Sequence, residues 1–218
     1  MVDNQSCKDV PGAIPDAAQA DAGPSGKAIL GRMIDELPDV PWADIEILDW
    51  QPADDRLPVE YTFADTSFGR VLAANTPFGV CYLGLAEGNP EAVLRDFQKR
   101  FGYATQVEAR TFRQKQALDF LDGKRDEHIV FHLRGTPYQT GIWRRLIRIP
   151  SGRVVSYATL GGGVRQARAA GTANGRNPIF RIVPCHRAVK NTGGFDRYFW
   201  GEAVKRRLLA GEFIPNKD

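Results

Sequence analysis

The sequence predicts an α+β chain whose first part is rich in strands and whose second part is mostly helical. Short apolar, β-branched runs broken by Gly, Pro, Asn and Asp between residues 59 and 88 have the form of an antiparallel meander. From residue 136 the apolar period lengthens. After the capping pair Thr136-Pro137, the residues Ile142, Trp143, Leu146 and Ile147 fall on one helical face. The charge changes over the same stretch: residues 1–125 carry 13 Lys and Arg against 20 Asp and Glu, whereas residues 126–218 carry 16 against 6.

Residues 1–26, rich in Ala, Asp, Gly and Pro with few large apolar side chains, read as a disordered tail. Residues 27–55 read as a short helix (KAILGRMIDEL, 27–37) and a linker. Residues 56–134 form the α/β unit, with VEYTFADT and GRVLAANTPFGVCYLGLAEG as its meander. Cys81 falls inside an apolar strand of that meander. NPEAVLRDFQKRFG is a helix with Asn89 as cap and Pro90 in its first turn. HIVFHLRG adds a last strand, with His128 and His132 as unremarkable edge residues. Residues 135–213 form the second unit. Its first helix stops at Pro150-Ser151-Gly152, Ser156 caps the short segment YATL, Gly161–Gly163 breaks the chain, and VRQARAAGTANG resumes as a helix. A helix, a glycine turn and a second helix bearing arginines have the sequence form of a helix-turn-helix. Residues 214–218 read as a tail.

Composition narrows the classes of function. A hydrophobic content of 43% and a charged content of 25% are those of a soluble globular protein. No apolar stretch approaches membrane-spanning length, and MVDNQSCKDV lacks a basic region followed by an apolar core. A cytoplasmic address with no membrane partner is expected. Cys7, Cys81 and Cys185 are widely spaced without any CxxC, so neither a disulfide framework nor a zinc knuckle is implied. The three histidines do not complete a metal site, and no metal is expected. Between His128 and Phe195 there are eleven Lys and Arg and no acidic residue, which suits a polyanion and above all nucleic acid.

The chemistry concentrates in RIVPCHRAV, residues 181–189. A cysteine becomes a nucleophile when a histidine takes its proton and a third group orients that histidine. Cys185 stands directly before His186, but neighbours on an extended strand point apart, so a bridging water is expected between them. The orienting group must be an acid. Glu212 is one of three acids between residues 128 and 217, beside Asp196 and Glu202. Pro184 removes a backbone donor and fixes φ before the cysteine. Asn177-Pro178 makes a turn that the asparagine amide can tie down.

GTPYQTGIW, IPSGRVVSYATL, ARAAGTANGRNPIFRIVPCHRAV and GGFDRYFWGEAVKRRLLAGE together resemble the O6-alkylguanine-DNA alkyltransferases, or methylated-DNA–protein-cysteine methyltransferases. The resemblance is strong from Gly135 to Glu212 and weaker back to residue 58. It implies an RNase H-like α/β N-terminal domain followed by a mostly helical domain with a helix-turn-helix and the PCHR active site. It also implies single-turnover transfer of an alkyl group from O6-alkylguanine to Cys185. In that scheme His186 deprotonates Cys185 through a water, Glu212 orients His186, and Asn177 braces the turn. Tyr157 rotates the target phosphate and protonates the departing guanine, while Arg168 fills the stack vacated by the flipped base. Ala167, Ala169, Ala170 and Gly171 permit close approach to the minor groove. Pro184, Tyr198 and Trp200 belong to the substrate pocket, where Trp200 leaves little room for a bulky alkyl group. The implied partner is double-stranded DNA carrying alkylated guanine, met from the minor-groove side by a monomer, with no cofactor required.

Several features depart from the family pattern. The Tyr157–Arg168 interval is shorter, at Gly161–Gly163, and Ala188 stands where a larger aliphatic is typical. Asn191 and Asp196 sit where small residues or glycine are common, and Asp196 places a negative charge near the DNA side. The first part lacks the cysteine cluster of the adaptive-response proteins. Other classes fit less well. Binders of alkylated DNA that accept no alkyl group lack the cysteine, cysteine hydrolases bring their histidine from a distant segment, and a transcription factor would need a dimerisation element.

Overall fold

The structure, a computed structural model, describes residues 23–86, 88–124, 128–195 and 198–213. Of the tail read over residues 1–26, residues 1–22 lie outside the described residues, as do the tail 214–218, Cys7 and Asp196. The last residues of that first tail are ordered, against expectation: Ser25 caps a helix that begins at Gly26. A mixed sheet and a set of helices make up the chain. The first helix, α1 (Gly26–Leu30), is followed by β1 (Ile45–Asp49) and a 3-10 turn at Pro52–Arg56. Then come the meander β2 (Val59–Thr66), β3 (Gly69–Asn75) and β4 (Val80–Leu85), helix α2 (Pro90–Phe101), β5 (Gln106–Glu108), α3 (Phe112–Leu121) and β6 (Ile129–Leu133). The sheet runs β1-β6-β4-β3-β2-β5, antiparallel within the meander and parallel at β1–β6, β4–β6 and β2–β5.

The pleat sorts the strands' side chains onto two faces. On β3, Leu72 and Ala74 join Val93, Phe97 and Phe101 of α2, while Val71 and Ala73 join Ala117, Phe120 and Leu121 of α3. That second face continues into the C-terminal helices: α4 (Pro137–Leu146), α5 (Tyr157–Gly161), α6 (Ala167–Asn174) and α7 (Glu202–Phe213). One apolar cluster runs from Val71 through Trp143 and Leu160 to Cys185 and Leu208. The sheet therefore forms the floor under the C-terminal unit. A two-residue parallel pairing, β7 (Val155–Ser156) with β8 (Ala188–Val189), ties the start of α5 to the segment after Cys185.

Several elements differ from the sequence expectation. The helix expected over 27–37 ends at Leu30, because the following backbone pairs elsewhere: Ile34 N–H donates to the Val154 carbonyl at 2.9 Å. The stretch read as a linker contains β1, whose Ile45 and Ile47 point into the core. Helix α3, with a Thr111/Gln114 capping box, and the short edge strand β5 were not expected. His132 is not an edge residue. Strand β6 is interior, so the ring is buried, its Nδ1 lies 2.8 Å from Thr76 Oγ1 and its Nε2 lies 3.1 Å from Asp54 Oδ2. His128 does lie exposed, beside Asp44 and Glu46.

Candidate active site

Cys185 opens a 3-10 turn, Cys185–Arg187, that follows Pro184. The extended geometry expected there is absent, because Arg187 N–H turns back to the Pro184 carbonyl at 2.9 Å. The loop leading in is held from several sides. Asn177 Nδ2 donates to the carbonyls of Ile179 (2.9 Å) and Val183 (2.8 Å), and its Oδ1 accepts from Ile179 N–H at 3.0 Å. That side chain braces the turn. Leu83 of β4 exchanges backbone bonds with Pro178 and Phe180, docking the loop onto the sheet. Arg181 sits at φ 60°, a left-handed conformation that non-glycine residues rarely adopt. Its guanidinium is anchored to the Leu121 carbonyl at 2.9 Å and lies 4.4 Å from the Phe68 ring.

The site itself is closed. Cys185 is 1% exposed, and its thiol donates to the Tyr198 hydroxyl at 3.5 Å. Burial pushes the thiol above its ordinary pKa, and the bonds from Tyr198 and Asn177 and the charge of Lys205 only partly offset this. The resting sulfur is therefore protonated at neutral pH. Burial likewise lowers His186, against the pull of Glu212, so the imidazole rests neutral. Burial alone would raise Glu212, but the charges of Arg187 and His186 hold it well below the usual carboxylate range.

These states fix the tautomer of His186. Its Nε2 lies 2.9 Å from Glu212 Oε1, and an ionised carboxylate only accepts, so Nε2 carries the proton. Nδ1 is left with its lone pair. It is buried and, among the described residues, has no hydrogen-bond partner. Arg187 locks the acid from the other side, with Nε and Nη2 each 2.9 Å from a Glu212 oxygen and Nη1 bonded to the Ile149 carbonyl at 2.6 Å. A base with a free lone pair thus adjoins the cysteine in sequence, held by a bidentate ion pair.

The remaining expected site residues lie on α5, on α6 and on the segment before α7. Ser156 caps α5 by accepting from Thr159 N–H at 2.9 Å, which sets half-buried Tyr157 in its first turn. A Cβ added at Gly171 would meet Tyr157 Cδ1 at 3.8 Å, so the ring lies along α6. Arg168 and Ala169 are exposed on α6, but Ala170 faces the core, so it offers no surface to a partner. Tyr198 is buried against Trp200 (centroids 5.5 Å), and burial raises its phenol well above the ordinary value. Trp200 also packs on Phe180, with ring centroids 5.2 Å apart.

Sequence reasoning passed over Asn174, whose Nδ2 donates to the Cys185 carbonyl at 3.2 Å, and Lys205, whose Nζ donates to the Ala188 carbonyl at 2.6 Å. Arg187 carried no role in the sequence reading either. PCHR with one downstream acid was the available signal, since a buried arginine needs a carboxylate.

Comparison with known proteins identifies the family. Residues 137–214 match the family model described as "6-O-methylguanine DNA methyltransferase, DNA binding domain". The methylated-DNA–protein-cysteine methyltransferase, inducible, of Bacillus subtilis (strain 168) is 31% identical over 143 residues, covering 62% of this chain and 80% of the relative. The chain belongs to the methylated-DNA–protein-cysteine methyltransferase family. The solved structure of Mycobacterium tuberculosis OGT in complex with DNA superposes with a TM-score of 0.55 at 31% identity, over 70% of this chain and 92% of that one. The bifunctional transcriptional activator/DNA repair enzyme Ada of Escherichia coli (strain K12) is 31% identical over 165 residues, which is 72% of this chain. The chain spans about half the length of curated relatives it matches, 46% in the case of Ada. The methyltransferase-family match holds α4 to α7 and every group around Cys185, whereas the segment before β1 lies outside it. Among the described residues no helix is long and apolar enough to cross a membrane.

Proposed function

We propose that the chain repairs DNA by moving an alkyl group from O6 of guanine onto Cys185 Sγ, once per molecule. The observation that carries this is His186, the residue next to the buried Cys185, whose Nε2–H is tied to ionised Glu212 while its Nδ1 keeps a lone pair. The thiol proton passes to Nδ1 through a water, and Glu212 favours the imidazolium that forms. The thiolate attacks the alkyl carbon, the S–C bond forms and the C–O6 bond breaks. The departing guanine takes a proton from Tyr157. A thioether is a poor leaving group, so the product persists and the molecule is spent. The sulfur itself accepts the group, so the reaction calls for no cofactor.

DNA is the partner. Exposed Arg165 and Arg168 on and before α6 support a nucleic-acid face, and the OGT–DNA complex among the relatives supports the same reading. We read α5, the Gly162–Gly163 turn and α6 as a helix-turn-helix that enters the minor groove as part of a monomer. Arg168 takes the place of the flipped base, and Ala169 and Gly171 allow close approach. Tyr198, Pro184 and Trp200 form the pocket wall. The meander β2–β3–β4, with β5 parallel to β2, supports an RNase H-like N-terminal half. The cytoplasm is the expected setting.

Intact-mass analysis after incubation with excess methylated duplex tests the reading. One added methyl per chain, on the peptide containing Cys185, is expected, and Cys185→Ser gains none while still binding DNA. More than one methyl removed per chain would sink the single-turnover mechanism.

A further inference from the structure

The segment 25–42 precedes the active site by more than a hundred residues and lies outside the matched span 137–214. It nevertheless wraps the acidic end of the relay. Arg32 Nη2 donates to the Phe213 carbonyl at 2.9 Å, Nη1 reaches the Gly152 carbonyl at 3.5 Å, and the guanidinium lies 5.1 Å from the Phe213 ring centroid. Both carbonyls flank Glu212. Phe213 is the next residue, and Gly152 N–H points at Glu212 Oε2 from 3.5 Å. Gly152 stands at φ +71°, where a Cβ would lie 3.0 Å from the Glu212 carbonyl oxygen and 3.4 Å from Arg32 Nη1. Only glycine permits this approach.

Trp42 makes a second, independent contact. Its ring centroid lies 4.8 Å from the Arg187 guanidinium, the cation whose two nitrogens hold both Glu212 oxygens. The segment is itself pinned by its backbone: Val154 N–H donates to the Arg32 carbonyl at 3.1 Å and Trp42 N–H to the Ile147 carbonyl at 2.7 Å.

The physical need for such contacts follows from where Glu212 sits. It occupies the last turn of α7, where unpaired carbonyls and the negative end of the helix dipole disfavour a carboxylate. A cation on the Phe213 carbonyl offsets that field. The structure assigns Arg32 and Trp42 as positioning residues of the transfer relay: they fix Glu212 and Arg187, and through them the donor side of His186. This assignment rests on the transferase reading above.

The test uses the full chain with Arg32→Ala, Arg32→Lys and Trp42→Phe. Two quantities are read: the single-turnover rate on methylated duplex across pH, and the nuclear magnetic resonance signals of the His186 imidazole without DNA. Arg32→Ala should slow transfer about 10-fold, less than the roughly 100-fold that a 1 Å misplacement of a reacting group can cost. It should move the rising limb of the pH profile upward and shift the His186 signals, with DNA affinity unchanged. Arg32→Lys should recover part of the rate, and in a Glu212→Gln background Arg32→Ala should cost nothing further. Unchanged His186 signals, or the same loss with and without Glu212, would overturn the assignment. If Arg32→Ala does not fold, the lysine and Trp42→Phe variants read the same quantities. A wild-type chain that transfers nothing refutes the transferase reading, while the His186 signals still decide whether Arg32 holds the relay.

Discussion

The surroundings of Cys185 and the outer face of α6 solve opposite problems. Around the cysteine each charge is buried and committed: Glu212 to His186 and Arg187, and Lys205 to the Ala188 carbonyl. On α6 the arginine is exposed, with small Ala169 beside it and the apolar Ala170 and Ala173 turned inward. Burial makes pairing obligatory, because an uncompensated charge in a dry interior costs far more than one in water. Exposure leaves Arg168 hydrated and, among the described residues, in no ion pair, so it can move into a base stack without first leaving a partner. The first region is built for a fixed geometry and the second for encounter.

The comparison breaks most sharply at Arg187. Arg187→Met removes the bidentate partner of a buried carboxylate, and such losses destabilise by about 3–5 kcal/mol. Arg168→Met, on the exposed face, should stay within about 0.5 kcal/mol of wild type, as surface changes usually do. Urea midpoints at constant slope measure both. Similar shifts for the two variants would mean that the Glu212 pair is not the interior tie described.

A smaller effect sharpens the same contrast. Burial lowers His186 and His132 below the ordinary histidine value of 6.5, so the unfolded chain binds protons that the folded chain refuses. Their contribution to stability is present above that value and is lost as pH falls below it. Glu212, held low, adds a further loss only in the acid carboxylate range. The urea midpoint should therefore fall between pH 7 and pH 5, and His132→Gln and His186→Gln should each flatten part of that fall. His128 is exposed beside Asp44 and Glu46, which raise its value, so His128→Gln should not flatten it. An unaltered slope in the buried variants would contradict the burial of the neutral rings.

What the sequence made legible was what is local. The Asn177-Pro178 bend, the Ser156 and Thr136 caps and the meander declare themselves within a few residues, through φ restriction, capping and period-two alternation, whereas the turn at Cys185–Arg187 stood where an extended strand was expected. Glu212 was found by scarcity of acids. Missing were the contacts between distant segments. Arg32 meets Phe213, Trp42 meets Arg187 and Arg181 meets Leu121, and nothing in the local pattern of either partner marks the other. Strand β1 was hidden for the same reason: its five residues become a strand by pairing with β6, more than eighty residues later. His132 was misjudged because an apolar run does not say whether its strand lies at an edge or inside the sheet.

The division of labour between the two regions is tested most directly by two variants on two substrates. Glu212→Gln and Arg168→Ala are each measured with methylated duplex DNA and with a free alkylated guanine base. Glu212→Gln keeps the shape but removes the charge that favours imidazolium formation, so both substrates should slow by the same factor, with the pH profile moved upward. Arg168→Ala should slow the duplex reaction and leave the free base untouched, because a free base needs no flipping. Equal loss on both substrates for Arg168→Ala, or a loss confined to duplex for Glu212→Gln, would contradict the account.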